Sequence, residues 1–154
     1  MVYGYARVST PNQKIDRQII NILRHNSNAK IYQEHFTGVL VDRPIWNKLY
    51  NKVQLGDTII FDEVSRMSRN GEEGFKLYKE LFKQGVELVF LKEPHINTTS
   101  YHKAMNVAMP SIQTSDNATS KLIETILDAM NIFILSKVEE DIKRAFEDVV
   151  LEYK

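Results

Sequence analysis

The chain contains no cysteine, which excludes disulfides and thiolate zinc sites and fits a cytoplasmic protein. Its four histidines, His25, His35, His95 and His102, lack metal-ligand spacing, so no metal site is read here. Net charge is missing too. Twenty basic residues balance twenty acidic ones, so no global field gathers polyanions and any nucleic-acid affinity has to come from a local cluster. The apolar runs fall well short of the roughly 18 residues of a membrane span, and no charged leader precedes an apolar core at the N-terminus. No membrane partner is expected. What is present, 154 residues with 43% hydrophobic and 26% charged, suits one globular fold with a substantial core.

Residues 2 to 8 read as a strand with Tyr3, Tyr5 and Arg7 on one face and Gly4, Ala6 and Val8 on the other. The small residues predict a helix packed closely against them. Thr10-Pro11-Asn12-Gln13 has capping-box spacing with Pro at the first helical position, and Ile15, Ile19, Ile22 and Leu23 continue as the apolar stripe of a helix ending near His25 or Asn26. Ile31 to Phe36 is a second strand, followed by a loop. Asp42-Arg43-Pro44 opens a helix carrying Trp46, Leu49, Tyr50 and Val53, with Gly56 as its left-handed stop. Thr58 to Phe61 is a continuous apolar run of the kind found in central parallel strands. After the polar segment Asp62 to Arg69, Asn70 to Glu73 starts a helix bearing Phe75, Tyr78, Leu81 and Phe82 and closed by Gly85, and Val86 to Leu91 is a fourth strand.

This alternation predicts an α/β fold: a central, mostly parallel sheet of four or five strands flanked by helices, with functional groups at the strands' carboxyl ends. Residues 94 to 115 read as a long connection with one short helix from Thr99 to Met109. From Ser111 to Lys154 there is neither Gly nor Pro, and an apolar stripe runs through a long helix capped by Asp116. At about 35 residues it reaches roughly 50 Å, more than the rest of the fold can cover. Part of the stripe, including Ile123, Ile126, Met130, Phe133 and Val138, is therefore expected to meet a second copy of the chain. The chain divides into an α/β domain, 1–115, and this helix, 116–154.

Ser9 follows the first strand and precedes a helix start, where free backbone N–H groups favour an anion. A phosphodiester attacked by a hydroxyl needs a positioned nucleophile, cationic donors around the phosphate and a proton route. Arg7, Arg43, Arg66 and Arg69 offer the cations, since the planar guanidinium matches phosphate and stays charged. The plainer readings are that Ser9 and Thr10 only cap a helix and that each arginine is a solvated surface residue.

Tyr5-Ala6-Arg7-Val8-Ser9-Thr10, Gln18, Asp42-Arg43-Pro44 and Ser65-Arg66-Met67-Ser68-Arg69 together resemble the catalytic domain of serine recombinases of the resolvase/invertase type. The resemblance covers nearly the whole chain. It implies that Ser9 attacks a DNA phosphate to form a 5′-phosphoserine bond and that Arg7, Arg43, Arg66 and Arg69 hold the phosphate, with Gln18 as an auxiliary contact. It also implies a double-stranded DNA substrate, a dimer that becomes a tetramer when two sites synapse, dimerisation through the final helix, and no cofactor, metal or ATP. Three departures stand out. Many members carry aspartate where this chain has Ser65, which leaves Asp62, Glu63 and Ser65 as the uncertain acid/base neighbourhood. The connection from Pro94 to Ser115 is longer than in the small resolvases. A DNA-reading region is not recognisable: residues 121 to 154 carry five basic and eight acidic side chains, a net of minus three. The chain is expected to be the catalytic and dimerisation half of a longer protein. Two alternatives stay open, a non-catalytic or impaired phosphate-binding dimerisation module of the same fold, and a magnesium-dependent nuclease or phosphatase on a similar sheet.

Overall fold

The computed structural model describes residues 1–8, 14–35, 43–101 and 117–152. Within them, four strands form one parallel sheet in the order β2-β1-β3-β4: β1 Val2–Arg7, β2 Lys30–Glu34, β3 Thr58–Phe61 and β4 Glu87–Phe90. The helices are α1 Asp16–His25, α2 Pro44–Lys52, α3 Gly71–Lys83 and α4 Asn117–Glu152, with short 3-10 turns at Val64–Arg66 and Pro94–Ile96. The α/β expectation holds, with four strands.

The two faces of β1 are used as its alternation predicts. Tyr3 and Tyr5 join Trp46, Leu49, Phe61, Tyr78 and Leu88 in the main core beneath α2, α3 and α4. On the other face, Ala6 and Val8 pack with Ile15. A Cβ on Gly4 would lie 2.6 Å from Ile22 Cγ2, so only glycine lets α1 approach this closely.

Several boundaries differ from the sequence reading. The helix α1 begins at Asp16, with the backbone carbonyl of Ile15 accepting its first bond from Gln18. It does not start at Pro11. The Ile15 side chain is buried against Ala6 and Val8, which anchors the entry, while Asp16 supplies the acidic first turn. Thr10 to Gln13 lie outside the described residues. The strand β2 stops at Glu34 because its partner ends there: Arg7 is the last paired residue of β1, and Val8 N donates to Glu34 O as the final rung. Pro44 stands at the first position of α2 as expected, but the helix ends at Lys52, and Gly56, φ +91°, shapes the turn into β3. Gly85, φ +79°, does close α3: its amide bonds Phe82 O, and Val86 N bonds Leu81 O, the paired bonds of a Schellman stop.

Residues 98–101 are helical; the rest of the expected 99–109 helix, and Asp116, lie outside the described residues. The long helix α4 spans 36 residues, about 54 Å. Its Ile134, Val138, Ile142, Ala145 and Phe146 enter the main core, packed on α3. Val138, expected on an interface between copies, is thus fully buried within its own chain. Phe133 and Ile132 are 73% and 67% exposed. The side chains of Ile123, Ile126 and Met130 lie outside those described. Among the described residues, no helix is long and apolar enough to cross a membrane.

Candidate active site

Strand order alone predicts where a site forms. The chain leaves β1 towards β2 on one side and leaves β3 towards β4 on the other, so the connections diverge between the carboxyl ends of β1 and β3. Such a switch point opens a crevice in parallel sheets. Arg7 stands at the end of β1, and the 3-10 turn bearing Arg66 follows β3 by two residues.

Arg7 is fixed through its backbone as well as its side chain. Gln18, buried on α1, accepts from Arg7 N at 3.0 Å and donates through Nε2 to Arg7 O at 2.9 Å. The guanidinium Nη2 donates to the carbonyls of Ser65 and Ser68. Burial, then the neighbouring charges of Arg43 and Arg66, lower its pKa from the ordinary arginine value. A cation so placed gains from an anion.

Arg43 immediately precedes α2. Its Nη1 donates to Met67 O at 2.5 Å, its Nη2 lies 3.8 Å from Glu73, and its guanidinium sits over the Trp46 ring, 5.2 Å from the centroid. Arg66 Nη2 pairs with Glu63 Oε1 at 3.3 Å. Arg7, Arg43 and Arg66 therefore converge around the 65–68 segment. Arg69 stands further out, half exposed, with Nε 3.6 Å from Glu73. The Nε atoms of Arg7 and Arg66 are both buried without a hydrogen-bond partner among the described residues. Unpaired buried donors are costly, and an oxyanion supplies what they lack.

The acidic neighbours Asp62 and Glu63 share Lys92, whose Nζ lies 3.7 Å from Asp62 Oδ2 and 3.1 Å from Glu63 Oε2, and differ in their other partners. Asp62 accepts from Asn21 of α1 at 2.9 Å. Glu63 faces the arginines and accepts Ser65 Oγ at 2.7 Å and Lys92 Nζ at 3.1 Å. Burial disfavours its charge, but the Ser65 and Lys92 bonds and the Arg66 charge outweigh that and hold its pKa below the ordinary carboxylate value. Glu93, beside them, accepts from Val64 N at 3.1 Å, and burial together with the Glu63 and Asp62 charges raises its pKa to about 7. Among the described residues no group of three or more His, Asp or Glu could hold a metal ion.

Ser9 lies outside the described residues, two positions beyond Arg7. Three participants were not singled out from sequence. Glu73 links Arg43 to Arg69, Glu34 caps α2 by accepting from Ile45 N at 3.1 Å, and the Tyr5 hydroxyl is buried beside Arg43 with no geometric hydrogen bond among the described residues. Two of them carry a local signal: Tyr5 opens the Tyr5-Ala6-Arg7-Val8-Ser9-Thr10 motif, and Glu73 has capping spacing from Asn70, whose side chain accepts from Glu73 N at 2.9 Å.

Comparison with known proteins places the chain in a family. The family model described as the resolvase N-terminal domain matches residues 2–150. A resolvase of Clostridium perfringens is 31% identical over 65% of this chain and 53% of its own length. The transposon Tn917 resolvase of Enterococcus faecalis is 32% identical over 73% of this chain and 60% of its own length. The chain therefore spans just over half the length of such relatives. Among solved structures, the N-terminal catalytic domain of TP901-1 integrase is similar with a TM-score of 0.52 and 27% identity, covering 86% of this chain and 94% of that one. The chain belongs to the serine recombinases of the resolvase/invertase type, matching the N-terminal domain of that family.

Proposed function

We propose that this chain is the catalytic part of a site-specific DNA recombinase that cuts and rejoins double-stranded DNA through Ser9. The observation that carries the reading is the convergence of Arg7, Arg43 and Arg66 at the β1/β3 switch point, with two buried arginine Nε donors unpartnered among the described residues. In the proposed step the Ser9 oxygen forms a bond to phosphorus and loses its proton, while the bond from phosphorus to the 3′ oxygen breaks and that oxygen takes up a proton. The products are a 5′-phosphoserine and a free 3′ hydroxyl. Arg7, Arg43 and Arg66 surround the phosphate and stabilise its transition-state charge, with Arg69 at the outer edge. Gln18 acts by setting the Arg7 backbone. Since the ester keeps the energy of the broken bond, the 3′ hydroxyl of another strand end can displace Ser9 without nucleotide hydrolysis. Two dimers, each joined through the exposed side of α4, bring two sites together as a tetramer.

The full-length protein on DNA carrying its native site provides the test. Quenched with denaturant, the wild type should leave a protein–DNA adduct on denaturing gels, and Ser9→Ala none. An adduct of equal yield from Ser9→Ala removes Ser9 as the nucleophile.

A further inference from the structure

The phosphate-binding reading leaves one buried carboxylate unexplained. Glu63 is 4% exposed, yet it carries a charge beside the crevice. All its contacts are directional. Oε1 takes Ser65 Oγ at 2.7 Å and Arg66 Nη2 at 3.3 Å, while Oε2 takes Lys92 Nζ at 3.1 Å. Nearby Asp62 takes Asn21 on Oδ1 and lies 3.7 Å from the same Lys92 through Oδ2, whereas among the described residues the carboxylate paired with Arg66 is that of Glu63.

We infer that Glu63 is the positioning residue for Arg66, held in place by Ser65 and Lys92, and that it leaves Arg66 Nε as the donor for a phosphate oxygen. The inference rests on the phosphate-binding reading above. Its physical basis is geometric. Arginine has several rotatable bonds, and a guanidinium pinned at one Nη by a fixed carboxylate loses less freedom when its remaining donors engage an anion. Ser65 matters because its hydroxyl fixes one carboxylate oxygen, and Lys92 because it fixes the other. The arrangement also gives position 65 a meaning: the hydroxyl there borrows a carboxylate from two residues earlier.

Electrostatics alone predicts the opposite result to positioning, so the two can be separated. Removing a negative charge near an anion site should by itself tighten anion binding. The whole chain, labelled with 15N-arginine, is titrated with inorganic sulfate while the Nε–H resonances of Arg7 and Arg66 are followed. In the wild type both should shift and saturate. Glu63→Gln should weaken the response at Arg66 by about tenfold, the loss expected when one charge-assisted donor is out of place. Adding Ser65→Asp to Glu63→Gln should restore it, since Ser65 Oγ lies 2.7 Å from the Glu63 oxygen that pairs with Arg66, which puts a carboxylate at 65 next to that oxygen's place. Ser65→Ala, which keeps Glu63 and guards against a folding failure of the glutamine variant, should weaken the Arg66 response by about threefold.

Binding as tight as wild type or tighter in Glu63→Gln or in Ser65→Ala, with Arg66 Nε shifting as before, overturns the inference. A wild type whose arginine resonances ignore sulfate overturns the phosphate-binding reading itself, and is distinguished because no variant is needed to see it.

Discussion

Gln18 occupies both backbone polar groups of Arg7, accepting from its N–H at 3.0 Å and donating to its carbonyl at 2.9 Å. One amide from α1 thereby continues the sheet's hydrogen bonding past the end of β1, at the residue that also grips the 65–68 segment.

Gln18→Leu keeps the size of this side chain but strands an N–H and a C=O at a partly buried position. Each stranded group costs about 1–3 kcal/mol. Urea unfolding should show a loss of that order or more, with the adduct yield falling along with it. An unchanged midpoint contradicts the role given to Gln18.

Gly74 lies where α3 meets α4. A Cβ there would stand 2.7 Å from Ser68 Oγ and 3.1 Å from Phe146 Cε2. Alanine would gain about 1 kcal/mol of helix propensity, whereas overpacking costs about 1–3 kcal/mol. Ser68 is fully buried and has little room to yield. Gly74→Ala should therefore destabilise the chain on balance, and a rise in melting temperature would show that the contact between the helices adjusts freely.

Position along α4 separates two outcomes of the same substitution. Val138 is fully buried and Phe133 is 73% exposed. Val138→Asp places an unpaired carboxylate in the core and should cost on the order of the whole stability of a small domain. Phe133→Asp should leave the melting temperature within a few degrees and lower the sedimentation mass from dimer towards monomer. A Phe133→Asp protein of unchanged mass removes the exposed side of α4 as the interface.

Glu93 sets a pH dependence whose sign can be worked out. Burial and the charges of Glu63 and Asp62 raise its folded pKa to about 7, above the unfolded value near 4.5. Between these values the folded state binds more protons than the unfolded one, so the Glu93 contribution is complete below about pH 4.5 and is lost as pH rises through about 7. Glu63, whose pKa is lowered, works in the opposite direction and loses its contribution as the solution becomes acidic. Glu93→Gln should remove the first effect. Measured by denaturant unfolding from pH 5 to 8, the stability of wild type relative to Glu93→Gln should decline as pH rises; a flat or rising difference contradicts it.

Local patterns account for the parts of this fold that were legible. Thr58 to Phe61 announces a central strand by composition, and Pro44, the Asn70–Glu73 cap and Gly85 punctuate helices through their own backbone chemistry. The start of α1 at Asp16 differs from the one the Thr10 to Gln13 capping pattern predicts, because such a pattern does not by itself fix where a helix begins. Burial of Ile15 against Ala6 and Val8 is a tertiary fact. In the same way, α4 is apolar around much of its circumference, so periodicity could not separate Val138 from Phe133. The arginines were legible as a group. Their fixings were not, since Gln18 to Arg7, Arg7 to Ser65 and Arg43 to Met67 join residues 11, 58 and 24 positions apart.

Ser9 as the nucleophile is tested most directly by the chemical site of attachment. The adduct formed by the full-length protein, trimmed with nuclease and cut with trypsin, can be sequenced by tandem mass spectrometry. The expected product is a nucleotide joined through its 5′ phosphate to Ser9, within the peptide Val8–Lys14. A nucleotide on Tyr5, Ser65 or any other residue, or one joined through a 3′ phosphate, contradicts it.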